Sequence, residues 1–317
     1  MPSRLKAFVA RFGTAAAAAL VFLSFAITAD HFAEIDNLLA IAKQVSPIAI
    51  LGLGFSLALT GAELDLSFAS VASLAAIASG LTIRAGAAPV VAALAGLGTG
   101  LGSGLLNGAV VTRLKVPSLI ATLAMGAIAN GCAFWLTDGI SVVGRWPIGF
   151  TSLGRGTVEG IPNMVLWAAA AALATATFLK QTRVGLHLVA TGEAEDAAGL
   201  AGIATSRLKV LGLTLSGLAA GLAAVLLSAS LSSASPGMAS DYLLTAIAAV
   251  TLGMTMFEPG RPNVAGTLVG ALTIGMLSNG LVLLGAPYYV QDICLGVIII
   301  ASVALSASVL TRAAFRV

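Results

Sequence analysis

Residues 187–209, HLVATGEAEDAAGLAGIATSRLK, form a charged island between two long apolar runs. Acids crowd its start at Glu193, Glu195 and Asp196. Small residues fill its middle at Ala197, Ala198 and Gly199, and bases close it at Arg207 and Lys209. Acid near a helix start and base beyond its end both suit the helix dipole. Leu200 and Ile203, with Ala197 and Ala204, fall close to one helical face. The island therefore predicts a short surface helix that offers a small apolar knob, framed by charge, to a partner.

The surroundings of the island set the class. The chain has 317 residues, of which 58% are hydrophobic and 9% charged, whereas soluble domains carry roughly 25% charged residues. This is the balance of a polytopic membrane protein. Long Ala, Leu, Val and Gly runs without two-residue alternation predict helices rather than a barrel. The fold expected is all-α, a single domain over 1–317 with about ten spans of membrane length. The spans are placed near 13–29, 42–60, 64–83, 88–112, 117–136, 162–179, 209–231, 240–256, 263–284 and 287–309. The net charge of +3 arises from bases near span ends and gives no indication of nucleic acid. Cys132 and Cys294 lie in apolar segments and read as small buried hydrophobes. His31 and His187 are far apart, and no metal constellation is visible. Arg4, Lys6 and Arg11 before the apolar run 14–27 have the outline of a secretory signal, but Ile27 suits a cleavage site poorly. An uncleaved first span is the better reading.

Loop charge orients the spans. With the N-terminus inside, 12 of the 16 Lys and Arg residues fall in inside segments, the exceptions being Lys43, Arg84, Arg145 and Arg155. Both termini and the 187–209 island are then cytoplasmic. The longest exterior segment, near 137–161, holds Asp138, Arg145, Trp146 and Pro147, and reads either as a periplasmic contact or as a solvated connection.

Several polar and small residues inside or beside spans stand out. Gly96, Gly100, Gly104 and Gly108 recur every four residues and make a bare stripe for close helix packing, within one chain or between two. Glu63 and Asp65 sit at the mouth of an apolar run, where Asp65 and Ser67 suit a helix start. Capping or loop anchoring is favoured there over substrate contact. Asn107, Asn130 and Asn279 predict hydrogen bonds between helices, and Tyr288 and Tyr289 an interfacial belt beside Asp292. The candidates for a substrate pathway are Asp65, Ser67, Asn107, Thr122, Asn130 and Thr245. No phosphate-binding loop, zinc-protease motif or nucleophile elbow occurs, so neither an ATPase nor a hydrolase centre is expected in this chain.

Four segments, in order, carry a family resemblance: GAELDLSFASVASLAA (61–76), NGAVVTRLKVPSLIATLAMGAIANG (107–131), VGLHLVATGEAEDAAGLAGIATSRLKV (184–210) and DYLLTAIAAVTLGMTMFEPGRPNVAGTLVGALTIGMLSNGLVLLG (241–285). They resemble the permeases of ribose-type ATP-binding-cassette sugar importers. The resemblance implies a transport subunit of the bacterial inner membrane, not an enzyme, that binds no cofactor itself. Its implied partners are cytoplasmic ATPases that use ATP and magnesium, a second permease subunit, identical or different, a periplasmic solute-binding protein and membrane lipid. It also implies that the segment 193–204 is the coupling helix docking on the ATPase. Gly192, Ala197, Ala198, Gly199, Gly202 and Ile203 carry that role, flanked by Glu193 and Asp196. The sequence departs from the family at Ala62 and Ala124, where the family has glycine, and at Leu243 and Thr245, where it often has two acids. These changes point to one half of a heteromeric pair. The implied cargo is a small neutral solute, a monosaccharide. The alternatives are another small solute, such as a branched-chain amino acid or a furanosyl signalling molecule, and an ion-coupled secondary transporter. No Lys or Arg reads as deep within a span, which weighs against a carboxylate cargo.

Overall fold

The computed structural model describes residues 2–287 and 289–301. The expectations for Tyr288, for the tenth window beyond residue 301, and for Arg312 and Arg316 lie outside the described residues. The chain runs through α1 (Pro2–Thr28), α2 (Ile35–Thr60), α3 (Phe68–Arg84), α4 (Pro89–Arg113), α5 (Ser118–Thr137) and α6 (Ile148–Arg155). It continues through α7 (Asn163–Gln181), α8 (Arg183–Glu193), α9 (Glu195–Leu200), α10 (Thr205–Leu231), α11 (Tyr242–Gly253) and α12 (Val264–Leu283), and then α13 (Tyr289–Ala301). Two antiparallel strand pairs add to the helices, Val142–Val143 with Ser233–Ala234 and Thr157–Val158 with Ile161–Pro162.

Each of the ten windows expected from composition overlaps a helix. Six helices among the described residues, α2, α4, α5, α7, α10 and α12, are long and apolar enough to cross a membrane. The apolar part of α1, and α3, α11 and α13, are shorter. One boundary changes the reading of a charge. Helix α2 starts well before its window, so Lys43, read from sequence as a loop base, is a half-buried residue within the helix.

Contacts sort the loops to two ends. Segments 61–67, 182–204 and 254–263 meet at one end through ion pairs. Segments 138–162 and 232–241 meet at the other through the Val142–Val143 pairing and the bond from Arg155 Nε to Ser230 O at 2.7 Å. The long segment near 137–161 is thus folded. Phe150 is buried and stacks beside Trp146, with ring centroids 5.4 Å apart.

Helix α10 is the centre of the bundle, with α2, α3 and α4 around it. The glycine stripe of α4 is spent on this contact. A Cβ on Gly100 would strike the backbone of Gly217 and Gly221, and one on Gly104 would strike Leu213 and Thr214. Gly217 in turn abuts Gly100 and Gly104. The stripe therefore packs within one chain, backbone against backbone, where dispersion contacts replace the absent hydrophobic drive between helices in lipid. A smaller seam of the same kind joins α11 to α12, where Gly253 meets Gly266 and Gly270 meets Ala249.

Helices α3 and α11, of 17 and 12 residues, rise only about 25 and 18 Å at 1.5 Å per residue. The segment 61–67 ahead of α3 is almost wholly buried, which is the setting that irregular backbone needs in a membrane, whereas 232–241 ahead of α11 is mostly half-buried, with Ser240 and Asp241 exposed. The turn into the first of these places Ala62 at φ +60, in the left-handed region. Left-handed backbone costs a residue with a Cβ roughly 1–2 kcal/mol.

Two outcomes follow for purified protein. Gly100→Leu should cost about 3 kcal/mol or more through overpacking and abolish a monodisperse peak in size-exclusion chromatography. Gly98→Leu, whose Cβ meets nothing within 4 Å, should leave that peak intact. Ala62→Gly should raise the thermal midpoint, by the equivalent of about 0.5–1 kcal/mol once the glycine's unfolded-state entropy is subtracted.

Candidate functional site

The charged island folds as two short helices and a turn. Thr182 begins it, its Oγ1 accepting a bond from Gly185 N at 2.9 Å. Helix α8 ends at Glu193, and Ala194 breaks the run at φ −152, ψ 81. The segment 193–204, expected as one helix, therefore holds only the six-residue α9. Gly202, at φ +84, turns the chain, and Ile203 N bonds back to Ala198 O at 3.0 Å before α10 starts.

Exposure separates the residues of this segment. Asp196, Ala197, Gly199, Leu200 and Gly202 face outward, and Leu200 is 92% exposed. Ala198 is buried and Ile203 half-buried, so the apolar knob is Leu200 without Ile203. Gly192 faces the other way. A Cβ there would strike the backbone of Thr60 at the end of α2, so its small size serves packing within the chain. A Cβ on Gly199 meets nothing within 4 Å.

Ion pairs hold the N-terminal end of α9 and the end of α8 that precedes it. Lys209 Nζ lies 2.8 Å from Glu195 Oε1 and 2.9 Å from Glu63 Oε1. It ties the base of α9 to α10 and to the segment that leads into α3. Arg261 pairs with Glu193 at 2.9 Å, joining the end of α8 to the loop before α12. Beside α8 a cavity of about 690 Å³ has both members of this second pair in its wall. Sequence reading missed the pairings because their partners lie on distant elements. The only legible sign was one stray charge, Glu63, at the mouth of a span.

Of the six pathway candidates, four come together in one buried cluster. Asp65 Oδ1 accepts from Ser67 N at 2.9 Å and from Ser67 Oγ at 2.6 Å. Asn107 Nδ2 donates to Ser67 Oγ at 2.8 Å, which joins α4 to the start of α3. Thr122 Oγ1 accepts from Leu66 N at 3.1 Å, and Ser118 Oγ from Leu64 N at 3.1 Å. Asp65, Ser67, Asn107 and Thr122 are all buried, so in this conformation they hold the irregular backbone in place. Asn130 stands apart on the exposed face of α5, and Thr245 lies at the opposite end in α11. Asn279 exchanges two hydrogen bonds of 3.0 Å with Asn37, joining α12 to α2. Cys132 and Cys294 are free thiols, half-buried rather than buried. Among the described residues no group of three or more His, Cys, Asp or Glu could hold a metal.

With this geometry in place, comparison with known proteins gives the class. The family described as branched-chain amino acid transport system, permease component, matches residues 37–303. The chain belongs to this permease family. It is 36% identical over 296 residues to the ribose import permease protein of Escherichia coli (strain K12), covering 90% of each chain. Over 293 residues it is 30% identical to the L-arabinose transport system permease protein of the same organism, covering 92% of this chain and 89% of that one. Identity to the D-allose transport system permease protein is 29% over 306 residues, 96% of this chain and 94% of that one. No solved structure matches. The match spans α2 to α13, so it covers the ion-paired island and the breaks ahead of α3 and α11.

The Lys209 pairs give a direct test. Glu63 has a side chain only 7% exposed, and removing one partner of a buried pair costs about 3 kcal/mol. Lys209→Met should lower the thermal midpoint of the purified permease, and adding Glu63→Gln should restore part of the loss. Arg261→Ala, in a pair whose side chains are 60% and 44% exposed, should shift the midpoint little, by under about 1 kcal/mol.

Proposed function

We propose that this permease is the membrane-spanning subunit of an ATP-binding-cassette importer that carries a monosaccharide inward by alternating access. The observation that carries the reading is α9. It is a rigidly held helix whose exposed face presents Leu200 and Gly199 outside the bundle, beside a fold whose relatives are named for ribose, arabinose and allose. In this reading the chain crosses the membrane ten times, α3 and α11 together with their lead-in segments completing two of the crossings. The bases near 180–209 and at Arg261 lie on the cytoplasmic side, following the positive-inside rule.

The chain hydrolyses nothing. A separate cytoplasmic ATPase uses ATP and magnesium, and α9 receives its motion. The lever acts in sequence on named contacts. Displacement of α9 moves Glu195, Lys209 follows it with α10, and Glu63 passes the shift to the segment ahead of α3. Glu193 and Arg261 pass it to α12. The opposite end carries α6 and the exposed Ile148, a fitting surface for a periplasmic solute-binding protein. A second permease subunit lies against α5. Asn130 is exposed mid-helix there with an open position at Gly131, and a polar amide at membrane depth calls for a protein or water neighbour rather than lipid. The names of the relatives favour a sugar over the amino acid of the family's description.

Gly199→Trp tests the docking face. The open space at its Cβ lets the variant insert and fold like wild type, while co-purification with the cognate ATPase should fall at least about tenfold, a loss of about 1.4 kcal/mol. A variant that folds and still retains the ATPase would sink the coupling role of α9.

A further inference from the structure

We propose that a second cavity, at the end of the bundle opposite α8 and α9, is a resting site for the solute on its way through the permease, and that it selects a neutral polyhydroxylated molecule. The inference deepens the importer reading above and rests on it. The cavity holds about 320 Å³ between α2, α11, α12 and α13, within the range of small-molecule sites, roughly 300–1,000 Å³. On the proposed orientation it lies in the outer half of the membrane, on the side from which an imported solute arrives.

The lining has the chemistry for vicinal hydroxyls. Gln44, Asp241, Thr245, Ser278, Gln291 and Asp292 all contribute to the wall, and the rest is Tyr242 with aliphatic residues of α2, α12 and α13. Ser278 Oγ donates to Gln291 Oε1 at 2.6 Å, which engages the carbonyl end of that amide and leaves its NH₂ as a donor. Thr245 Oγ1 donates to Asp241 O at 3.1 Å, which leaves its lone pairs to accept. The side chains of Gln44 and Asp292, both exposed to this space, have no hydrogen-bond partner among the described residues. The space thus offers both donors and acceptors beside apolar side chains, as a sugar with hydroxyl rims and C–H faces requires. Two aspartates and no lysine or arginine in the wall repel a carboxylate or a phosphate ester, since like charge is an effective way to exclude a competitor. Lys43 neighbours Gln44 in the chain but is not part of the lining.

The experiment uses the permease purified with its ATPase, with Cys132→Ala and Cys294→Ala as background. A single Thr245→Cys is then labelled with a hydrophilic methanethiosulfonate reagent. D-ribose, L-arabinose and D-allose are the probes, with L-leucine and choline as charged comparisons. Labelling should slow about threefold or more with at least one sugar, the protection expected of a site mostly filled, and stay unchanged with leucine. Equal rates with and without every sugar would overturn the site, and protection by choline alone would overturn its preference for neutral solutes. In parallel, Asp241→Asn with Gln291→Leu should raise the KM of sugar uptake severalfold while co-purification with the ATPase is retained. Sugar uptake with an unchanged KM in that double variant sinks the cavity and leaves the importer reading standing. A wild-type complex that takes up no sugar sinks the reading itself.

Discussion

Every backbone N–H and C=O inside a bilayer must find a partner in the protein, because the hydrocarbon offers none. That constraint governs this fold. The long helices satisfy themselves. The two places where the helical pattern stops within the bundle, ahead of α3 and of α11, borrow hydroxyl and carboxyl groups from neighbours. Ser118 and Thr122 serve Leu64 and Leu66, Asp65 serves Ser67, and Ser73 accepts from Ala239 N at 3.1 Å. Short side chains do this work because their oxygens sit close to their own backbone and add little bulk to a crowded interior.

The same economy gathers five elements around one end of the bundle. The break ahead of α3 is held by α4 through Asn107 and by α5 through Thr122, and is tied to α10 and α9 through Glu63 and Lys209. A segment free of helical bonds can shift by rotating a few dihedrals, whereas a packed helix moves as a body. Under the proposed importer reading, the junction of five elements near residue 63 is where a displacement of α9 would be divided among the helices. Buried pairs of this kind contribute little net stability compared with apolar packing. Their value here is directional, since they fix which element follows which.

Much of this was legible in the sequence, and the limits are physical. The spans were visible because apolar runs of membrane length have no other use, and the island at 187–209 because charge is scarce elsewhere. The bare stripe from Gly96 to Gly108 announced close packing, but only the structure supplies its partner, Gly217 and Gly221. Pairings such as Glu63 with Lys209 are set by tertiary geometry that no local pattern encodes. The extent of the coupling segment was misjudged for a similar reason. Nothing in Glu193–Ala194–Glu195 breaks a helix by propensity, yet the fold turns there, and the two acids reach cations on different elements, Arg261 in the loop before α12 and Lys209 on α10. Asp65 and Ser67 were rightly read as helix-start residues, and their burial with Asn107 and Thr122 came from the topology.

The glycine seam between α4 and α10 also sets a schedule. Helix α4 leaves the ribosome with its bare side exposed, and its match arrives only after the chain from Arg113 to Thr205 has been made, roughly 5–20 s at ordinary rates of synthesis. During that interval the stripe faces lipid or the insertion machinery, and any other glycine-faced helix is a competitor for it. Biogenesis of this permease is thus most exposed to mispairing midway through translation, before α10 arrives to close the centre.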